Sequence, residues 1–249
     1  MSRGFFVVLE GADGSGKTEQ AKRLAATIRA VGRNTLETRE PSTGPIGRLI
    51  RQALLGAVVD PSAMGALFAA DRFDHAARQV LPALELGAVV VCDRYDWSNI
   101  VYRLAETQGP LFKCGAGRCD WTGDDLEWRF WSHTCCPRCG DGSAAFTATA
   151  RERLAWVRGL SLGAPVADLT VVLAVPVQVA AERRRARGGV ELYETDQLQA
   201  RCCALYARAD ELAGPGERVV VVDGVGDEDA VAERVWAAVA GLVRAKGAT

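Results

Sequence analysis

The sequence predicts an α/β fold: a doubly wound, five-stranded parallel sheet flanked by helices, with a small cysteine-rich insertion. Three observations predict it. Short apolar runs of strand length alternate with longer helical patterns, the rhythm of a parallel sheet with helical crossovers. A glycine-rich stretch separates the first strand from the first helix. Five of the eight cysteines fall between positions 114 and 139, where the alternation breaks.

The strands fall at 5–10, 34–38, 88–93, 169–175 and 218–223. Runs such as Val89-Val90-Val91 are apolar at successive positions, as strands buried on both faces are. The helices fall at 17–30, 46–55, 61–86, 97–107, 149–158, 176–187, 194–213 and 227–244, and Gly32, Gly56 and Gly87 stand where helices should stop. A chain of 249 residues, 49% of them apolar, suffices for one such domain. Its ligands are expected beyond the carboxyl ends of the strands.

Composition narrows the function classes. A net charge of −1 gives no global basic field for nucleic acid. The start of the chain lacks a signal-peptide pattern, and no apolar stretch approaches the ~20 residues that span a bilayer. A cytoplasmic protein is expected, where disulfides are rare. Cys92, Cys202 and Cys203 then read as packing residues in apolar or helical contexts.

Gly11-Ala12-Asp13-Gly14-Ser15-Gly16-Lys17-Thr18 fits the pattern G-x4-G-K-[ST] after a strand and before a helix. Its glycines let backbone N–H groups curl around phosphate oxygens, and the helix start adds partial positive charge. Lys17 is placed to reach the β- and γ-phosphates of ATP, and the Thr18 hydroxyl to bind Mg2+. Val89-Val90-Val91-Cys92-Asp93 ends an apolar strand in an acid, the form of the second carboxylate on the magnesium side.

A phosphate loop does not name the acceptor. Beyond it, Arg39-Glu40-Pro41, Leu67-Phe68-Ala69-Ala70-Asp71-Arg72, Asp93-Arg94-Tyr95 with Ser98-Asn99 and Tyr102, and Asp168-Leu169-Thr170 occur in that order. With Glu10 to Thr18, these stretches resemble the thymidylate kinase family over about residues 5–109 and 149–245. Spacing places Phe68 and Arg72 on one helix face, and Asn99 and Tyr102 on another. The resemblance implies that Phe68 stacks on the pyrimidine and Arg72 binds its exocyclic oxygen. It implies that Asn99 meets the N3 edge and that Tyr102 sits by the sugar and disfavours a 2′-hydroxyl. Asp13 would bind the 3′-hydroxyl, Arg39 and Arg94 would hold the acceptor phosphate, and Pro41 would follow a cis peptide. A homodimer is implied as well.

Arg183, Arg184, Arg185 and Arg187 precede Gly188-Gly189 and resemble the family's lid over ATP. Arg185 and Arg187 are the candidates for stabilising the transferring phosphoryl group. One position departs from the family: Leu192, before Tyr193-Glu194, stands where many relatives have arginine.

Residues 111–146 read as an insertion between the two parts, 1–110 and 147–249, of the kinase domain. Cys114-x4-Cys119 is followed after 16 residues by Cys136-Pro137-Arg138-Cys139. Two such pairs suit four-cysteine tetrahedral zinc, whose binding would supply the folding energy so short a segment lacks. His133 and Cys135 are alternative ligands. Trp121, Trp128 and Trp131 lie in the same segment, and its basic and acidic residues balance, which speaks against nucleic acid.

The expected reaction is transfer of the γ-phosphate of ATP to dTMP. Two alternatives remain: the same chemistry on another pyrimidine deoxynucleotide, such as dUMP or a 5-modified dUMP, and a non-catalytic nucleotide-binding adaptor on the same scaffold.

Overall fold

The computed structural model describes residues 3–56, 59–114, 119–120, 122–123, 138–139, 144–188 and 195–245. A five-stranded parallel sheet runs in the order β2-β3-β1-β7-β8, formed by β1 (Phe5–Glu10), β2 (Thr35–Arg39), β3 (Val89–Asp93), β7 (Leu169–Ala174) and β8 (Val219–Asp223). Every residue of β1, β3 and β7 is buried, which is why they read as unbroken apolar runs.

Alternate side chains of β1 enter opposite layers. Phe5, Val7 and Leu9 pack with α1 (Lys17–Ala30) and α9 (Glu228–Ala245) through Leu24, Ile28, Val235 and Val239. Phe6 and Val8 face Val80, Leu84 and Tyr95. A further apolar cluster joins α5 (Asp96–Ala105), α6 (Ala148–Leu160) and α8 (Asp196–Tyr206). The order reverses at β1, which has β3 on one side and β7 on the other. The crevice of the sheet therefore opens beyond Glu10 and Asp93.

The helix expected over 61–86 is three pieces. They are α3 (Pro61–His75), a π-turn over Ala76–Val80, and α4 (Leu81–Glu85). Pro82 explains the interruption. A proline inside an α-helix lacks its N–H and clashes with the carbonyl four residues back. The extra residue of the π-turn lets Leu81 N–H bond Ala76 O instead. The helix expected over 194–213 is shorter: after Tyr206 the bonds tighten, Arg208 N–H to Leu205 O and Ala209 N–H to Tyr206 O.

After α5 the chain builds a second, antiparallel sheet in the order β5-β4-β6, from β4 (Phe112–Cys114), β5 (Thr122–Gly123) and β6 (Ala144–Phe146). Strands of two or three residues are too short to show alternation, so none was expected here. The remaining helices are α2 (Pro45–Leu54) and α7 (Val177–Arg187).

Candidate active site

The glycine-rich stretch is the turn from β1 into α1, with Gly16 capping the helix at φ 90°. Gly14 shows why a side chain is excluded there. Its φ is 87°, and a Cβ would stand 2.3 Å from Ala180 O, so the backbone of α7 closes on the loop. Lys17 is buried; its Nζ donates to Ala12 O at 3.3 Å and lies 3.6 Å from Asp13. Burial, then the charge of Arg94, pull its pKa down. Thr18 Oγ1 donates to Asp93 Oδ2 at 2.6 Å. Asp93 Oδ1 is buried and has no hydrogen-bond partner among the described residues. A hydroxyl beside an unsatisfied carboxylate oxygen is the donor set a hard cation takes, so these two residues fit Mg2+.

Asp13 is the hub on the other side of the loop. Its carboxylate receives Arg94 Nη2, Tyr102 OH at 2.5 Å and Gln199 Nε2 at 3.1 Å. Burial alone would raise its pKa, but Arg94, Lys17 and the Tyr102 hydroxyl outweigh burial and hold it well below the carboxylate range. Arg94 adopts φ 69°, a left-handed conformation unfavourable for an arginine, which its surroundings impose between β3 and α5. Glu10, at the end of β1, fixes this junction by accepting from Tyr95 N–H, Ser98 N–H, Ser98 Oγ and Tyr206 OH. Arg39 is exposed and lines a cleft with Thr18, Lys22, Thr43 and Asp93.

Phe68 is half-buried against the cluster of Ile50, Ala53 and Met64. Arg72, one turn on, is in a different setting. It is fully buried, donating to Glu40 Oε2, Tyr95 O and Ser161 Oγ at 3.0, 2.8 and 2.8 Å. On α5, Asn99 Nδ2 donates to Gly65 O at 3.0 Å, while its Oδ1 is buried without a partner among the described residues. The Glu40–Pro41 peptide is cis.

Of the lid arginines, Arg183 and Arg184 touch the loop, donating to Ser15 O at 3.2 Å and to Asp13 O at 3.0 Å. Arg185 and Arg187 are exposed, and the charge of Arg187 is felt at Asp13. Leu192 lies outside the described residues. Sequence reasoning missed Glu10 and Gln199 as organisers of the site. An acid closing the apolar run of β1 is a signal for Glu10; nothing in the helical pattern singles out Gln199.

Cys114, Cys119 and Cys139 converge, their sulfur atoms all within 4.8 Å of one another. Cys136, His133 and Cys135 lie outside the described residues.

Fold and phosphate loop together define a P-loop nucleotide-binding protein. A family model described as thymidylate kinase matches residues 9–114, ending at the first cysteine of the cluster. The thymidylate kinase of Caulobacter vibrioides is 31% identical over 234 residues, spanning 93% of each chain. That of Thermomicrobium roseum is 32% identical over 244 residues, spanning 96% of each. The solved structure of thymidylate kinase from Candida albicans superimposes with a TM-score of 0.68 at 25% identity, covering 97% of this chain and 93% of that one. The chain belongs to the thymidylate kinase family. No helix among the described residues is long and apolar enough to cross a membrane.

Proposed function

We propose that the protein transfers the γ-phosphate of ATP to dTMP, giving dTDP and ADP. The observation that carries this reading is Asp13: an acid inside the phosphate loop, held by Arg94 and Tyr102 of the acceptor side. Charge so close to phosphates is costly without a task, and binding the sugar 3′-hydroxyl is a task that orients the acceptor. Tyr102 fills the space beside it, where a 2′-hydroxyl would stand. The spare Oδ1 of Asn99 suits the N3–H of a pyrimidine seated over Phe68. Arg72 is the proposed partner of the exocyclic oxygen, and reaching it requires release of the Ser161 contact that now covers its Nη1. Arg39 and Arg94 offer guanidinium forks to the acceptor phosphate. Residues 11–18 cradle the donor phosphates, Lys17 bridges them, and Arg185 and Arg187 meet the transferring group when the lid closes. Thr18 and Asp93 would hold Mg2+, which would neutralise charge on the donor phosphates.

We also read residues 111–146 as an inserted subdomain in a kinase domain of 1–110 and 147–249, held by structural Zn2+. Sulfurs of a tetrahedral zinc site with ~2.3 Å bonds stand about 3.8 Å apart. Cys114 and Cys139 stand at 3.7 Å, and Cys136 is assigned as the fourth ligand. Metal analysis of the purified protein should find one zinc per chain. A homodimer is supported by the exposed apolar stripe of Ala66, Ala70, Phe73, Ala77 and Leu81 along α3 and α4. The buried thiols of Cys92, Cys202 and Cys203 support a cytoplasmic location.

ADP release measured with ATP–Mg2+ and a panel of dTMP, dUMP, 5-hydroxymethyl-dUMP, dCMP and dGMP tests the assignment. Turnover led by dTMP is expected. Preference for a modified pyrimidine would move the substrate and keep the chemistry; binding of ATP without turnover on any of them would overturn the kinase reading in favour of an adaptor.

A further inference from the structure

Three groups of contacts link the cysteine cluster to the proposed acceptor site through α8. At the outer end, Phe112 and Cys114 are alternate residues of β4 and share its buried face. The Phe112 ring stacks on Phe146 at 5.1 Å, and the Arg208 guanidinium lies 4.8 Å from its centroid. In the middle, Arg201 ties α8 to the end of α5. Its Nη1 donates to Ala105 O at 2.8 Å and Thr107 O at 2.7 Å, and its Nη2 to Gly109 O at 2.6 Å. These carbonyls lie at the end of α5 and in the strand of chain that leads to the cysteines. At the inner end, Gln199 is fully buried. Its Oε1 accepts from Asp13 N–H at 3.3 Å, and its Nε2 reaches Asp13 Oδ2 at 3.1 Å and Tyr102 OH at 3.3 Å.

A helix of this length moves as a rigid body, and Arg208 sits in the tight turn bonded to its end through Leu205 O, so what fixes Arg201 and that turn also fixes Gln199. We propose that the cysteine insertion is a strut for α8, with Arg201 as a positioning residue, and that metal held at the cysteines thereby tightens the grip of Asp13 and Tyr102 on the acceptor nucleotide. The metal part rests on the zinc reading of Cys114, Cys119 and Cys139. Loss of the metal frees β4, loosens the seat of Arg208 and Arg201, and lets the Gln199 amide leave Asp13. The phosphate loop keeps its own backbone, Arg183 and Arg184, so donor binding is affected less.

The test uses the full chain as purified. Zinc content is measured before and after chelation; amide hydrogen exchange across 196–206 and KM for dTMP and for ATP are followed together. Removal of zinc is expected to speed exchange in α8 and raise KM for dTMP about tenfold, the scale of one lost hydrogen bond to a charged group, with KM for ATP within about twofold. Arg201→Ala should do the same with zinc retained, and chelation of that variant should add little, because both act through one element. Arg208→Leu, which keeps apolar contact with Phe112, gives a milder form of the same change if Arg201→Ala folds poorly. Zinc lost with exchange and KM both unmoved would overturn the proposal. A protein that neither contains nor takes up zinc would end the metal reading alone, and faster exchange in the arginine variants would still decide the strut. Exchange needs no turnover, so failure of the kinase reading is likewise told apart.

Discussion

The hydroxyl of Tyr102 donates to Asp13 Oδ2 across 2.5 Å and so ties α5 to the phosphate loop. Tyr102→Phe removes that donor and keeps the ring. A hydrogen bond to a charged group contributes about 1.5–3 kcal/mol net, so KM for dTMP should rise at least about tenfold. Discrimination against a ribose should persist, because the ring still fills the space. Steady-state kinetics with dTMP and its ribose counterpart check both points.

Gly14→Ala tests the closeness of α7. The new methyl meets Ala180 O at 2.3 Å on a backbone with φ 87°. Either α7 or the loop must move, and the loop is the proposed cradle of the donor phosphates. ATP affinity should fall at least about tenfold, and a strain of 1–3 kcal/mol should lower Tm by roughly 2–4 °C per kcal/mol. Calorimetry with and without ATP separates the two losses.

Glu40 joins Arg72 and His75 in the interior, with Arg72 Nη2 at 3.0 Å and His75 Nδ1 at 3.2 Å. Glu40→Ala leaves a buried guanidinium without its counter-charge. Breaking one partner of such a pair costs about 3–5 kcal/mol. Urea unfolding should show that loss, and pairing the change with Arg72→Met should recover part of it, because no buried charge is then left unpaired.

Asp96 supplies a pH signature. Burial lifts its pKa to about 6, with the charge of Arg72 working against the rise. A carboxyl raised in the folded state costs stability once ionised, above the folded value, and costs nothing below the unfolded one. Asp96→Asn should therefore raise Tm at pH 7–8. The gain should shrink as pH falls through about 6 and vanish below about 3.9. A pH series of melting curves of both proteins reads this.

Local features were the legible ones. The strands β1, β3 and β7 announced themselves because burial on both faces demands apolar residues at every position. Lys17 and Thr18 were readable because the loop that places them is contiguous in sequence, and Asp93 because an acid ends an apolar strand. Arg72 was different: spacing gave its helix face, but its burial depends on Glu40, Tyr95 and Ser161, which arrive from three other segments. Gln199 was silent for the same reason, since its value comes from Asp13, 186 positions away. A run of arginines does not tell which side of α7 faces the loop; Arg183 and Arg184 do, while Arg185 and Arg187 are exposed. The cysteine spacing brought out three converging thiols without any strand periodicity to help.

The segment that carries those cysteines enters and leaves the kinase at one point. Thr147 N–H bonds Leu111 O at 2.9 Å, and Thr147 Oγ1 bonds Pro110 O at 3.1 Å. Two chain ends this near can be joined by a short turn at little entropic cost, or can carry a longer passenger. The junction is therefore a clamp as well as a doorway: Leu111 and Phe112 enter the core that α5, α6 and α8 share, so a chain shortened at this point must refill the space they leave.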